Sequence, residues 1–202
     1  VSGNAFEASD VIGLYVTDYV NEITPMPLQI SGNRANNSLV TFDGSVWAPD
    51  QTIYWGSGKS DVYAYYPYFE TVTDVNSQYF ELATDQTGEG YELSDFLWAK
   101  AEGVSQTDGN VQLQFKHMCS KLVIKLVKGE KFTDVIPEDT EVYLYSTVPA
   151  ATIDFTKGIG LNMKQLSGMA LAVGAVTTAL KVAKDAFFNN EQQLDDWNRA
   201  VA

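Results

Sequence analysis

From Val11 to Phe155 the chain repeats one short phrase. Runs of β-branched and aromatic residues alternate with clusters of Gly, Asn, Asp and Pro, roughly one run every ten residues. This rhythm restricts the fold to extended strands joined by turns, as in a sandwich or barrel, and no stretch before residue 160 sustains a helical period over three turns. The expected strands are Val11–Thr17, Gln51–Trp55, Asp61–Tyr66, Gln78–Leu82, Asp95–Ala99, Val111–His117, Lys121–Val127, Val142–Ser146 and Thr152–Phe155. Between them, SGNRANNS (31–38), FDGS (42–45), TGEG (87–90) and TDGN (107–110) carry turn chemistry.

After residue 160 the period changes. Leu166, Met169, Val173, Val176, Leu180, Ala183 and Phe187 are spaced alternately three and four apart, an apolar seam with a helical repeat. Asn189-Asn190 interrupts it. The run EQQLDDWNRAV then places Leu194, Trp197 and Val201 on one side, with Asn190 as an N-cap and Gln193 at the capping-box position. The expectation is a β domain over 1–160, a boundary at about Gly158–Leu161, and a C-terminal α-helical tail, a helical hairpin, over 161–202. Residues 165–180 are uncharged, but as a helix they span only about 24 Å. A bilayer core needs about 30 Å. The seam therefore reads as a packing surface, for self-association or for docking on the β domain.

Twenty-six acidic against thirteen basic residues give a net charge of −13, which repels phosphate backbones and anionic membrane surfaces. The excess lies in residues 1–160, while the last 42 residues are balanced. A single cysteine, Cys119, excludes an internal disulfide and any zinc site built on paired cysteines. The opening VSGNAFEASD lacks the basic start and apolar run of a secretory leader, so these residues read as the start of a mature fragment or of a cytosolic protein.

The stretch GSGKS (56–60) invites a nucleotide-binding reading. The phosphate-cradling motif needs a glycine five residues before Gly58, where Ile53 stands, and a helix after Ser60. The chain instead continues from Ser60 as DVYAYYPY, a strand-like run stopped by Pro67. GSGKS is therefore expected to be a hairpin turn between IYW and VYAYY.

His117, the one histidine, has no G-x-S-x-G elbow with it and reads as a structural residue. Along VQLQFKHMCSKLVIKL the apolar phase slips from Val111, Leu113, Phe115, His117 and Cys119 to Leu122, Ile124 and Leu126, which predicts a bulge or sheet-switching bend near Cys119–Lys121. Cys119 is expected in the core rather than in a Cys-His pair. The Asp108-Gly109-Asn110 turn lacks the spaced ligand series of a calcium loop, and no carboxylate pair stands in a distinctive setting. In VYAYY, Val62, Ala64 and Tyr66 share one face, and Tyr63 and Tyr65 the other, so the expectation is a strand covered on both sides or one with a partner on its outer face. Tyr54, Trp55, Tyr63 and Tyr65 are the candidate ligand or partner aromatics. No catalytic, cofactor or metal residues are expected.

Five motifs, carried on four stretches, occur in the order of a known family. FEASDVIGLYV (6–16), SVWAPDQTIYWGSGKSDVYAYYPY (45–68), DQTGEGYELSDFLWAK (85–100) and VQLQFKHMCSKLVIKL (111–126) carry F-x-x-x-D-x-I-G-L-Y, W-x-x-x-x-x-I-Y-W, Y-A-Y-Y-P-Y, D-Q followed by S-D-x-L-W-A, and F-x-H-x-x-S-K-L-x-I. They resemble the N-terminal domain of fimbrillin-like proteins, the type V pilus subunits and related surface proteins of Bacteroides-type bacteria, over about residues 6–155. The resemblance implies a transthyretin-like antiparallel β-sandwich and export as a lipoprotein precursor whose N-terminal segment is removed. It also implies display on the cell surface and outer membrane, and polymerisation with other fimbrial subunits by strand donation. The last 42 residues depart from that pattern, where family members continue into a second β domain. The expected function is thus a non-enzymatic structural or adhesion protein of a fimbrium, without cofactor, whose partners are other subunits or surface receptors. The alternative is a secreted carbohydrate-binding β-sandwich using the tyrosine and tryptophan surface.

Overall fold

A computed structural model describes residues 5–127, 129–130, 136, 142–144, 148–164, 171–173 and 180–181. The chain is mainly β and its strands pair antiparallel. It divides into two compact units: one holds Val1–Tyr79, Asp95–Met118 and Thr152–Leu161, the other Phe80–Ser94, Cys119–Ala151 and Asn162–Ala202.

The first unit is built on β1 (Val11–Asp18), β2 (Ala35–Phe42), β3 (Trp47–Pro49), β4 (Ser60–Tyr66), β6 (Leu97–Val104) and β7 (Lys116–His117), which form a six-stranded sheet in the order β3-β2-β1-β4-β6-β7. A second sheet joins β5 (Gln78–Glu81), β10 (Ala150–Asp154) and β11 (Ile159–Lys164) in the order β11-β10-β5. Two short ladders pair β9 (Val142–Leu144) with β12 (Leu171–Val173), and β8 (Lys121–Leu122) with β13 (Leu180–Lys181). Among the described residues one short α-helix, α1, spans Glu89–Leu93.

β4 is the central strand, and all seven of its residues are buried. Its alternation works as expected. Val62, Ala64 and Tyr66 join Ile12, Val16, Ala35, Val40 and Leu97 in apolar clusters on one face. Tyr65 points the other way and stacks on Phe155 with ring centroids 4.5 Å apart, beside Phe69 and Phe96. Its hydroxyl donates to Asn37 Oδ1 at 2.5 Å. Gly13 faces Tyr65 across the β1–β4 ladder, and a Cβ there would overlap the tyrosine ring. The glycine of the I-G-L-Y run is thus a matter of space.

Several expected elements differ. Gln51–Trp55 is not a strand, so GSGKS joins no hairpin: β4 pairs with β1 and β6 instead. A strand, β2, starts inside the expected turn 31–38. The turn is made by Asn33, whose side chain bonds Gln29 and Asn36, and Ala35 already lies in the core. TGEG opens α1 rather than a plain turn. Val111–His117 is strand only at Lys116–His117, and Lys121–Val127 only at Lys121–Leu122. The predicted break between them is present: β7 belongs to the six-stranded sheet and β8 pairs with β13. At the expected domain boundary β11 runs on through Lys164. Residues 165–170, 174–179 and 182–202, where most of the expected helical tail falls, lie outside the described residues.

Candidate functional site

The GSGKS stretch has no phosphate-binding geometry. Ser60 begins β4, so no helix N-terminus comes after the glycines. Lys59 Nζ is spent on the Glu22 carbonyl oxygen at 3.2 Å. Arg34 holds the preceding segment: its guanidinium makes a two-toothed pair with Asp18 and donates through Nη1 to the Tyr54 carbonyl at 2.8 Å.

The four candidate aromatics do not share a surface. Tyr63 and Tyr65 are 6% and 1% exposed, too deep to stack on a sugar. Burial also pushes both phenols above the ordinary tyrosine range. Tyr54 is 79% exposed, while Trp55 is half-buried against the Val16–Ala35–Val62 cluster.

His117 is half-exposed and anchors to a neighbour that its local sequence does not point to. Its Nδ1 lies 2.8 and 3.0 Å from the two carboxylate oxygens of Asp95, which is 1% exposed. The Asp in S-D-F-L-W-A (94–99) was the available signal, since a buried carboxylate requires a donor. Cys119 is half-buried and not disulfide-bonded. Asp108 is occupied in a local cap, accepting from the Ser105 amide at 2.7 Å, and hydrogen bonds from Ser105 hold its carboxyl below the usual range. Among the described residues no three His, Cys, Asp or Glu side chains gather as a metal site.

A second buried carboxylate organises one end of the sheet. Asp61 accepts from Tyr19 Oη and from the Gly103 amide, both at 2.9 Å, and sits 3.2 Å from Lys100 Nζ. Lys100 also meets Glu102 at 2.6 Å and lies over the Tyr63 ring at 4.9 Å. Burial works against its charge, but Glu102, Tyr63 and Asp61 hold the ammonium above the ordinary lysine range. Every member is committed to a structural bond, and Asp61 at 1% exposure is closed to ligands.

The feature that stands out is how the apolar face of the six-stranded sheet is covered. Among the described residues, the side chains packed on it from outside the sheet come from segments assigned to no strand. Phe6 meets Trp47, Phe115 and Tyr66 edge-on, at centroid distances of 4.9, 5.0 and 5.9 Å. Ile53 and Trp55 lie over one cluster, and Val111, Leu113 and Phe115 extend across both. Their backbones add no strand to the sheet. The face is thus closed by side chains of the chain's own non-strand segments.

These features define an antiparallel β-sheet protein with a lightly roofed apolar face. The chain belongs to the family described as Fimbrillin-like, which it matches over residues 1–187. The match runs past Leu161, so most of the stretch set apart on sequence grounds falls within the family. It is 33% identical over 158 residues to a Bacteroides uniformis protein named "Putative fimbrium subunit Fim1C", covering 76% of this chain and 50% of that protein. It thus spans about half the length of that curated relative. A crystal structure of a "putative cell adhesion protein" from the same species aligns with a TM-score of 0.59 at 28% identity, over 91% of this chain and 67% of the other.

Proposed function

We propose that this chain is a non-enzymatic structural subunit of a cell-surface fimbrium, joined to its neighbours by strand donation. Support comes from the family membership and the relative named as a fimbrium subunit. The observation that carries the mode of assembly is the roof of the six-stranded sheet: a face lined by Ile12, Val40, Ala64, Tyr66 and Leu97 is closed by segments that contribute no strand. An extended segment from another subunit, laid with apolar side chains inward, meets the same need. In this reading the β domain is a transthyretin-like sandwich, the partners are other fimbrial subunits or surface receptors, and the chain is exported to the outer surface. No described helix is long and apolar enough to cross a membrane.

The test is immunogold electron microscopy of the cells that make the protein, beside fractionation of sheared surface material. Gold along sheared fibres, with the protein in stable ladders of multimers, is the expected outcome. Protein confined to the soluble cell fraction, with unlabelled fibres, would overturn the proposal.

A further inference from the structure

The three pieces of the roof are held in different ways. Phe6 belongs to a segment tied to β2 by Ser9 N to Phe42 O at 2.8 Å and Phe42 N to Asp10 O at 2.9 Å. The 53–55 piece is pinned in its middle by Arg34 on the Tyr54 carbonyl. Residues 111–115 cover the most ground, with Leu113 on both clusters, yet they lie outside any strand. Val111, Leu113 and Phe115 are half-buried, and Gln112, Gln114 and Lys116 exposed, so the segment lies extended on the sheet with one side down. Its anchors are at its ends. Before it stands the Ser105–Asp108 cap and Gly109 at φ +79°, a conformation that glycine adopts freely. After it comes β7, two residues paired with Leu97 and Trp98, with His117 on the buried Asp95 carboxylate.

We propose that residues 111–117 form a releasable strap over the apolar face of the six-stranded sheet, latched by His117 on Asp95. The place it vacates then accepts an extended segment of another subunit with apolar side chains at alternate positions. The occupant's chemistry is set by the strap's footprint: alternate apolar residues fill the clusters now covered by Val111, Leu113 and Phe115, with uncharged or basic residues between them, as in the strap, against a protein of net charge −13. Segments that open first are those whose backbones are least committed to a ladder, and a hydrogen bond to a carboxylate is strong enough to decide their equilibrium. The inference rests on the strand-donation reading and names the place where it acts.

Two variants test the latch: His117→Gln, at a half-exposed position that poses little risk to folding, and Asp95→Asn, close in shape. Hydrogen exchange should accelerate at residues 111–118 by on the order of tenfold or more in both, with β1 and β4 amides unchanged. A labelled synthetic peptide copying residues 110–118, NVQLQFKHM, should bind the His117→Gln variant, which keeps Asp95 for the peptide's own histidine, more tightly than the parent protein by a similar factor. If Asp95→Asn speeds exchange throughout the sheet, the His117→Gln data decide. Exchange at 111–118 as slow as in β4 and unmoved by His117→Gln overturns the strap. Faster local exchange with equal peptide binding by the parent and His117→Gln overturns the docking place. A chain that never enters fibres, yet shows both effects, removes the assembly reading and leaves the strap standing.

Discussion

Replacing Asp61 is the sharpest test of how this sheet is held together. The carboxylate is 1% exposed and accepts from three elements at once: Tyr19 Oη, the Gly103 amide and Lys100 Nζ. Asp61→Ala takes the acceptor away from all three donors. Stripping one partner from a buried ion pair costs about 3–5 kcal/mol when the other charge is stranded. Here Lys100 keeps Glu102 at 2.6 Å and is 20% exposed, so the lower end applies, about 3 kcal/mol. Asp61→Asn keeps an oxygen for Tyr19 and Gly103 and loses only the attraction to a partly solvated ammonium, which costs about 1 kcal/mol. In a thermal melt of a chain this size the two should lower Tm by roughly 6–12 °C and 2–4 °C respectively. Urea titration at constant m-value would confirm that the difference lies in the native state. An Asn variant as damaged as the Ala variant would show that charge, and not the accepting oxygens, holds the site. An Ala variant within about 0.5 kcal/mol of the parent would refute the account altogether.

Two further outcomes rest on packing and burial. Gly13→Ala should cost about 2–3 kcal/mol in urea unfolding, because the new methyl meets a Tyr65 ring that Phe155 and Asn37 keep in place; Gly13→Ala with Tyr65→Leu should cost less than the sum of the two single changes. Tyr15 is 1% exposed, its hydroxyl has no partner among the described residues, and burial pushes its pKa up to about 12. An unfolded tyrosine releases its proton near pH 10, so the stability Tyr15 contributes is intact below that pH and is lost as pH rises toward 12. Tyr15→Phe should be neutral or stabilising by about 1 kcal/mol at pH 7, and should move the alkaline unfolding midpoint, followed by tyrosinate absorbance, to higher pH.

The central strand was legible because burial on both faces favours an almost unbroken apolar and aromatic run, and VYAYY supplies one without help from distant residues. The break in VQLQFKHMCSKLVIKL was legible for a related reason, since a slip in apolar phase cannot be accommodated by one continuous strand. The strand expected at 111–115 failed on the same evidence that suggested it. Alternation reports that one side of an extended segment is covered, and a segment lying across a sheet satisfies that as well as one paired at its edge. Tyr63 and Tyr65 were candidates because large side chains on both faces also suit a strand with a partner on its outer one; in the fold both are buried. The turn at SGNRANNS misled in the other direction, because Asn37, at φ +44°, sits in β2 and serves Tyr65 from there.

By itself the sequence determined a β-rich chain, the absence of a phosphate loop, the place of the sheet-switching break and the family. All of these arise from local propensity, spacing and motif order, which are properties of neighbouring residues. The tertiary structure decided which carboxylates meet donors, that Gly13 answers to Tyr65, and that the described segments over the six-stranded sheet's apolar face are loops. Those facts depend on residues separated by tens of positions, such as His117 with Asp95 and Tyr19 with Asp61, and no local pattern encodes the pairing of such distant groups.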